Sequence, residues 1–331
     1  MPVLTLSAMR AMLCRMTSIK DGWTANDIPR QDGRVFVVTG ANSGLGFSTA
    51  RELARKGATV VMAVRNEQKG REALEKIKNE ISAADVQLRS LDLADLDSVR
   101  AFAAATPTVH VLVNNAGVMM PPRSLTKQGF ELQFGANHLG HFALTGLLLP
   151  ALRRAGGHGT DARVVTVSSG LHRGGSIHFD DLDGAKAYSP TGFYSQSKFA
   201  NVLFGLELDR RLRQAGEPIR SLIAHPGYAA TNLQSSGPTG PMKFLMRISN
   251  ALVAQSADMG ALDQLYAATD PGAESGEFIG PRRMREQRGT PTVVQPDPNA
   301  TDPALARRLW ELSEELTGVH YDFAPSATSA K

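Results

Sequence analysis

A short apolar run, Val35-Phe36-Val37-Val38, stops abruptly at Thr39-Gly40-Ala41-Asn42-Ser43-Gly44-Leu45-Gly46. An uninterrupted apolar run bounded by glycine reads as a strand buried on both faces, which belongs to a parallel sheet covered by helices. Beyond the glycines, Ala50, Leu53 and Ala54 mark one face of a helix that stops at Gly57. Strand, glycine turn and helix in this order aim backbone N–H groups and a helix N-terminus at a pyrophosphate. Gly40, Gly44 and Gly46 let the chain turn tightly and let a dinucleotide approach without a β-carbon in the way. The same turn makes Asn42, Ser43 and Leu45 binding candidates. The chain is therefore expected to be α/β, with a doubly wound parallel sheet.

The alternation continues. A second buried strand over residues 58–64 ends at Arg65, 19 residues after Gly46. An NAD site carries an acid near this point for the ribose hydroxyl. Here there is none, and an arginine favours a 2′-phosphate, so NADP is expected and NAD is left open. Residues 67–81 read as an amphipathic helix, Val86 to Leu91 as a third strand ending at Asp92-Leu93, and Val109 to Val113 as a fourth running into Asn114-Asn115-Ala116-Gly117. A long apolar helix is expected from Phe134 through Leu152, carrying Asn137, His138 and His141. The two histidines lack a third ligand and read as ordinary helix residues, so no metal site is expected. The fifth strand, Ala162 to Val167, delivers Ser168-Ser169 to its C-terminal end, where ligand chemistry belongs in such a sheet. A serine hydroxyl there can hydrogen-bond a substrate oxygen as charge develops on it. No Gly-x-Ser-x-Gly elbow surrounds it, so it need not be a nucleophile.

The chemistry concentrates at Tyr194-Ser195-Gln196-Ser197-Lys198. From Phe199 the apolar residues Val202, Leu203, Leu206 and Leu212 recur at helical spacing, which puts Tyr194 and Lys198 one turn apart on one face. A free tyrosine, with a pKa of about 10, exchanges protons poorly at neutral pH. An adjacent ammonium is expected to lower that value toward the working range.

The segments TGANSGLG, Asp92-Leu93, NNAG and Tyr194-x-x-x-Lys198, in this order, resemble the short-chain dehydrogenase/reductase family over roughly residues 33–230. The resemblance implies a Rossmann fold of three layers in a single domain. It also implies that Asp92 and Leu93 flank an adenine and that Asn115, Ala116 and Gly117 lie beside the cofactor. Ser169, second in its doublet, takes the family's serine position. Asn137 matches a helix asparagine that holds a water leading to the lysine. After a sixth strand, Ile219 to Ala224, the loop with Pro226 and Gly227 is implied to lie over the nicotinamide, with Thr231 near the carboxamide. Ser169 and Tyr194 stand 25 residues apart, more than the family's usual gap. The inserted GLHRGGSIHFDDLDGAKAYSPTG is similar to the branch containing retinol dehydrogenases and related bacterial oxidoreductases.

Composition excludes other classes. Of a formal charge of +4, Arg10, Arg15 and Lys20 supply three with no acid among residues 1–20, leaving +1 for the rest. That is no nucleic-acid footprint. Cys14 is the only cysteine, which rules out an internal disulfide and CxxC-type metal sites. No apolar run reaches the length of a membrane span, and polar residues interrupt the first twenty, so a cytoplasmic protein without integral membrane association is expected. Residues 1–20 read as a disordered tail, and Met16 is an alternative to Met1 as the start of translation.

Residues 21–280 read as the domain proper. Within it, 232–254, with Met242, Phe244, Leu245 and Met246, is either a lid with an apolar inner face, core packing or an interface. Residues 256–269 should be helical, and Glu277 to Ile279 is expected to be the last strand. Residues 281–301 are expected to be loop. A capped helix from Asp302-Pro303 should bury Leu305, Leu309, Leu312 and Leu316, with 281–331 packed on the same domain.

The function expected is an NADP-dependent oxidoreductase interconverting a lipophilic or aromatic alcohol with its aldehyde or ketone. Tyr194 would move the proton, Lys198 would tune it and hold the ribose, Ser169 would polarise the oxygen, and Asn137 would complete the relay. A non-catalytic NADP-binding sensor and a sugar-nucleotide epimerase are the alternatives. The expected partner is a small-molecule alcohol or carbonyl, with no nucleic acid, and a homo-oligomer is left open.

Overall fold

The structure is a computed structural model that describes residues 19–157, 161–228 and 255–323. Strands β1 (Val35–Thr39), β2 (Thr59–Val64), β3 (Val86–Ser90), β4 (Val111–Asn114), β5 (Ala162–Val167), β6 (Ile219–Ala224), β7 (Phe278–Arg283) and β8 (Arg288–Val293) form one sheet in the order 3-2-1-4-5-6-7-8. All neighbours through β7 are parallel, and β8 runs antiparallel to β7. The order reverses between β1 and β4, and a ligand crevice opens at the strand C-termini beside such a switch point.

Alternation along β1 shows why both faces are covered: Phe36 and Val38 belong to one apolar cluster and Val37 to the other, all fully buried. Helices α1 (Gly44–Arg55), α2 (Glu67–Glu80) and α6 (Ala257–Thr269) pack on the first face through residues such as Leu53, Ile77 and Leu265. Helices α3 (Leu96–Ala104), α4 (Gly140–Gly156) and α5 (Pro190–Ala215) cover the other through Val99, Phe142 and Leu208. The result is the expected three-layer α/β sandwich. Helix α7 (Pro303–Thr317) lies outside this second layer, its Trp310 ring 5.1 Å from Phe142 and 5.8 Å from Phe204.

Four expectations need correction. Residues 281–301 are not all loop, because β8 pairs with β7 through Ile279–Val293, Gly280–Thr292 and Pro281–Pro291. Gly289 and Pro291 disguise it, yet an edge strand tolerates residues that donate nothing to a ladder. The stripe of α7 is rotated: Ala306, Leu309, Trp310 and Ser313 are buried, whereas Leu305, Leu312 and Leu316 are only partly so. The segment read as a tail loses its end to the fold. Ile19 is 5% exposed within the core, and its carbonyl accepts from Arg282. The helix expected from Phe134 begins with one turn at Leu132–Phe134, widens into a π turn at Gly135–Leu139 and only then becomes α4. Thr231 and the lid expected at 232–254 lie outside the described residues, as does Cys14.

Candidate active site

The strand ends and the loops above them enclose a cavity of about 930 Å³. One end is the glycine turn. Gly40 has φ 68°, a left-handed conformation open to glycine at little cost. A β-carbon on Gly46 would stand 2.4 Å from the Gly40 carbonyl and 2.6 Å from Asn115 Nδ2, so only glycine fits. The turn is tied to the NNAG segment: Asn115 Nδ2 donates to the Thr39 carbonyl at 2.7 Å, and Thr39 Oγ1 accepts from the N–H groups of Asn115 and Ala116 at 2.9 Å. With Gly40, Asn42, Ser43, Gly44, Leu45 and Gly46 on one side and Asp92, Leu93, Asn115, Ala116 and Gly117 on the other, these residues line a single trough.

At the far corner Arg65 directly follows β2 and lines the cavity with Asn66 and Lys69. Asn66 caps α2 by accepting from Lys69 N at 2.9 Å, which places Lys69 in the helix's first turn. Two cations at a helix N-terminus suit a phosphate. Arg65 is singled out by its place after the second strand, whereas Lys69, which lines the same corner, stands one turn further on across the capping Asn66 and carries no comparable sequence signal.

At the other end β5 delivers the serine doublet, whose members diverge. Ser168 Oγ donates to the Lys198 carbonyl at 2.8 Å and anchors α5. Ser169 Oγ caps the following 3-10 turn, Gly170–Gly174, accepting from Leu171 N at 3.2 Å, and it lies near enough to Tyr194 to act on the phenol's pKa. Tyr194 and Lys198 occupy one face of α5, the Nζ 5.8 Å from the ring centroid, and Lys198 Nζ donates to the Val167 carbonyl at 3.2 Å. Burial pushes the Tyr194 phenol up to about 12, with Ser169 pulling the other way. Burial brings the Lys198 ammonium down to about 8. The expected lowering of the tyrosine by the lysine is therefore absent, because desolvation outweighs it.

Asn137 sits in the π turn, fully buried, its Nδ2 donating to the Val118 carbonyl and Ser197 Oγ, each at 2.9 Å, while its Oδ1 accepts from Val118 N at 2.8 Å. His138 and His141 are buried and partnered by Ser313 and Thr39. Among the described residues no cluster of histidine, cysteine, aspartate or glutamate could hold a metal. Pro226 and Gly227 line the cavity, together with His225 and Tyr228. Met119, Met120, Leu171 and the 285–287 segment of the β7–β8 connection complete its wall and were not foreseen. Only topology brings them here.

A doubly wound sheet with a tyrosine, a lysine and a serine converging on a glycine-lined trough defines a dinucleotide-dependent oxidoreductase type of site. The chain belongs to the short-chain dehydrogenase family, whose profile matches residues 34–240, and it is an oxidoreductase acting on CH–OH or C=O groups. Its relatives place it in the retinol dehydrogenase-like branch. It is 41% identical over 330 residues to polyprenol dehydrogenase of Mus musculus, covering 95% of this chain and 96% of that one. With human retinol dehydrogenase 13 it shares 38% over 342 residues, covering 98% and 96%. A crystal structure of an uncharacterised protein from Mycobacterium paratuberculosis superposes with a TM-score of 0.77 at 48% identity, covering 91% of this chain and 99% of that chain.

Proposed function

We propose that the protein is an NADP-dependent dehydrogenase/reductase that interconverts a lipophilic alcohol with its aldehyde or ketone. The observation that carries this reading is the convergence of Ser169, Tyr194 and Lys198 in a cavity whose opposite corner holds Arg65 and Lys69. The residues fit such a cofactor. The space above Gly46 admits no β-carbon, the first turn of α1 offers backbone N–H groups, and the cationic corner suits a 2′-phosphate. Gly40, Asn42 and Gly46 would hold the pyrophosphate, Arg65 and Lys69 the 2′-phosphate, and Lys198 the nicotinamide ribose. A bound nicotinamide supplies or accepts the hydride.

Each residue's part in the chemistry follows from its surroundings. A phenol pushed up to about 12 by burial is protonated at neutral pH, so Tyr194 is ready to give its proton to a carbonyl oxygen. Ser169, lining the same cavity beside that phenol, presents its hydroxyl to the same oxygen. Lys198, with its ammonium at about 8, carries charge at neutral pH and stabilises the phenolate left behind. In the alcohol-oxidising direction the same groups act in reverse. Val118 and Ser197 occupy the Asn137 side chain, which therefore acts by holding the frame of the proton path.

Support for a lipophilic substrate comes from the apolar wall of Met119, Met120 and Leu171 and from relatives named for polyprenol and retinol. Methionine packs against varied apolar shapes. The test is absorbance at the nicotinamide band with all-trans-retinal, long-chain isoprenoid aldehydes and short polar carbonyls, each with NADPH and NADH. Turnover confined to lipophilic carbonyls with NADPH supports the reading. Tight NADPH binding without turnover across the panel would favour the sensor.

A further inference from the structure

Among the described residues, four that are not glycine have positive φ: Met120 at 52°, and Met284, Arg285 and Glu286 at 54°, 53° and 63°. Three of them, Met120, Arg285 and Glu286, line the cavity. Left-handed backbone is unfavourable for any residue with a β-carbon, and it persists where surrounding contacts over-determine it. The contacts of Glu286 are of that kind. Oε1 accepts from Arg173 Nη2 at 3.0 Å, and Oε2 forms an ion pair with Arg173 Nη1 at 2.9 Å, so the hydrogen bond is charge-assisted. Oε2 also stands 3.2 Å from His225 Nε2.

These partners belong to the two segments that shape the reactive end of the cavity. Arg173 lies in the 3-10 turn capped by Ser169, and it also donates to the Gln295 carbonyl at 2.7 Å. His225 begins the loop after β6, is 1% exposed, and accepts from Gly227 N through Nδ1 at 3.3 Å. That arrangement leaves Nε2 as the donor to Glu286. The β7–β8 connection touches the same loop again: Tyr228 N donates to the Gln287 carbonyl at 2.9 Å, and a β-carbon on Gly227 would meet that carbonyl at 2.4 Å. Among the described residues, Glu286 is thus the side chain whose hydrogen bonds reach both segments.

We propose that Glu286 is a positioning residue whose carboxylate fixes the turn after Ser169 against the His225–Tyr228 loop. It thereby sets where the nicotinamide end of the cofactor lies relative to the Ser169–Tyr194 pair. The proposal rests on the NADP reading of the cavity. The adenosine end, at Arg65 and Lys69, is served by other elements, so the effect is confined to one half of the cofactor.

The experiment compares binding of NADPH with that of 2′,5′-ADP, which fills the adenosine end alone, by calorimetry. Glu286→Ala and Glu286→Gly both remove the carboxylate, and the glycine also relieves the backbone. Both are expected to weaken NADPH by roughly tenfold, the worth of one lost charge-assisted bond, with 2′,5′-ADP held within about twofold. Glu286→Gln, which keeps the shape and an acceptor for Arg173, should recover most of the loss. Equal weakening of both ligands, unchanged NADPH binding, or wild-type binding by Glu286→Gly would overturn the proposal. Should the wild type bind NADH in place of NADPH, the NADP reading fails alone, and the same comparison with NADH and AMP decides the role of Glu286.

Discussion

Asn137 and Ser197 are joined by a 2.9 Å hydrogen bond that ties the π turn to the helix carrying Tyr194 and Lys198. Ser197 Oγ passes the link on, donating to the Tyr194 carbonyl at 2.8 Å. On its other side Asn137 holds both backbone groups of Val118, just past the NNAG segment. The amide thus fixes the loop after the NNAG segment relative to the helix that carries Tyr194. The π turn suits this role, since an extra residue in the ladder redirects a side chain and recurs at functional sites.

Replacing Asn137 with alanine leaves the Val118 groups and Ser197 without their partner in a largely dry site. A buried polar group left unsatisfied costs about 1–3 kcal/mol, so urea unfolding should show a loss of at least that size. Turnover should fall with it, because the loop and the helix are no longer held together. A variant with wild-type stability would mean that water replaces the amide without penalty.

The cationic corner makes a separate prediction. Arg65→Ala and Lys69→Ala should each weaken NADPH by about tenfold, from a charge-assisted contact worth roughly 1.5–3 kcal/mol, and leave NADH nearly unchanged. Fluorescence titration of both nucleotides reads this directly. Equal losses for the two nucleotides would place the 2′-phosphate elsewhere.

How far the sequence carried this account depends on whether a signal was local. The buried strands and the glycine turn were legible because continuous apolar runs and glycines at a strand end have few other readings. Tyr194 and Lys198 were legible because four residues on a helix share a face. Strand β8 was not, since Gly289 and Pro291 carry weak strand preference and pairing with β7 alone makes them extended. Helix α7 showed its caps, Asp302 and Gly318, but not its phase, which the Phe142 and Phe204 rings decide by taking Trp310 inward. The pKa of Tyr194 was misjudged because a sequence shows a neighbouring charge and hides the desolvation around it.

The serine doublet separates chemistry from scaffolding. Ser169→Ala should lower turnover and leave NADPH affinity close to wild type, since its hydroxyl lies beside Tyr194 in the cavity, with a stability loss of about 0.5–2 kcal/mol at most from the missing cap on Leu171 N. Ser168→Ala should cost about 0.5–1.5 kcal/mol of stability through the lost bond to the Lys198 carbonyl. Thermal denaturation with steady-state kinetics on both variants checks the pair, and exchanged phenotypes would contradict the assignment.

Carbonyl reduction should also report the lysine. Lys198 is charged below its value of about 8 and loses that charge above it, while Tyr194, at about 12, stays protonated. The pH profile of kcat/KM should be flat near neutrality and fall through about pH 8. Lys198→Arg, whose guanidinium does not titrate in this range, should push the descent upward. A profile flat to pH 10 in the wild type would show that the lysine charge is not needed.

The central claim is that Tyr194 moves the proton. Tyr194→Phe removes one oxygen and keeps the ring, so the fold and NADPH affinity should be retained. General acid–base catalysis contributes about 10²–10⁴-fold, and steady-state turnover of the best carbonyl substrate should drop by at least the lower figure. Lys198→Ala added to Tyr194→Phe should lower turnover little further, because the lysine works through the phenol. A Tyr194→Phe enzyme that retains near wild-type turnover while binding NADPH normally would contradict the account.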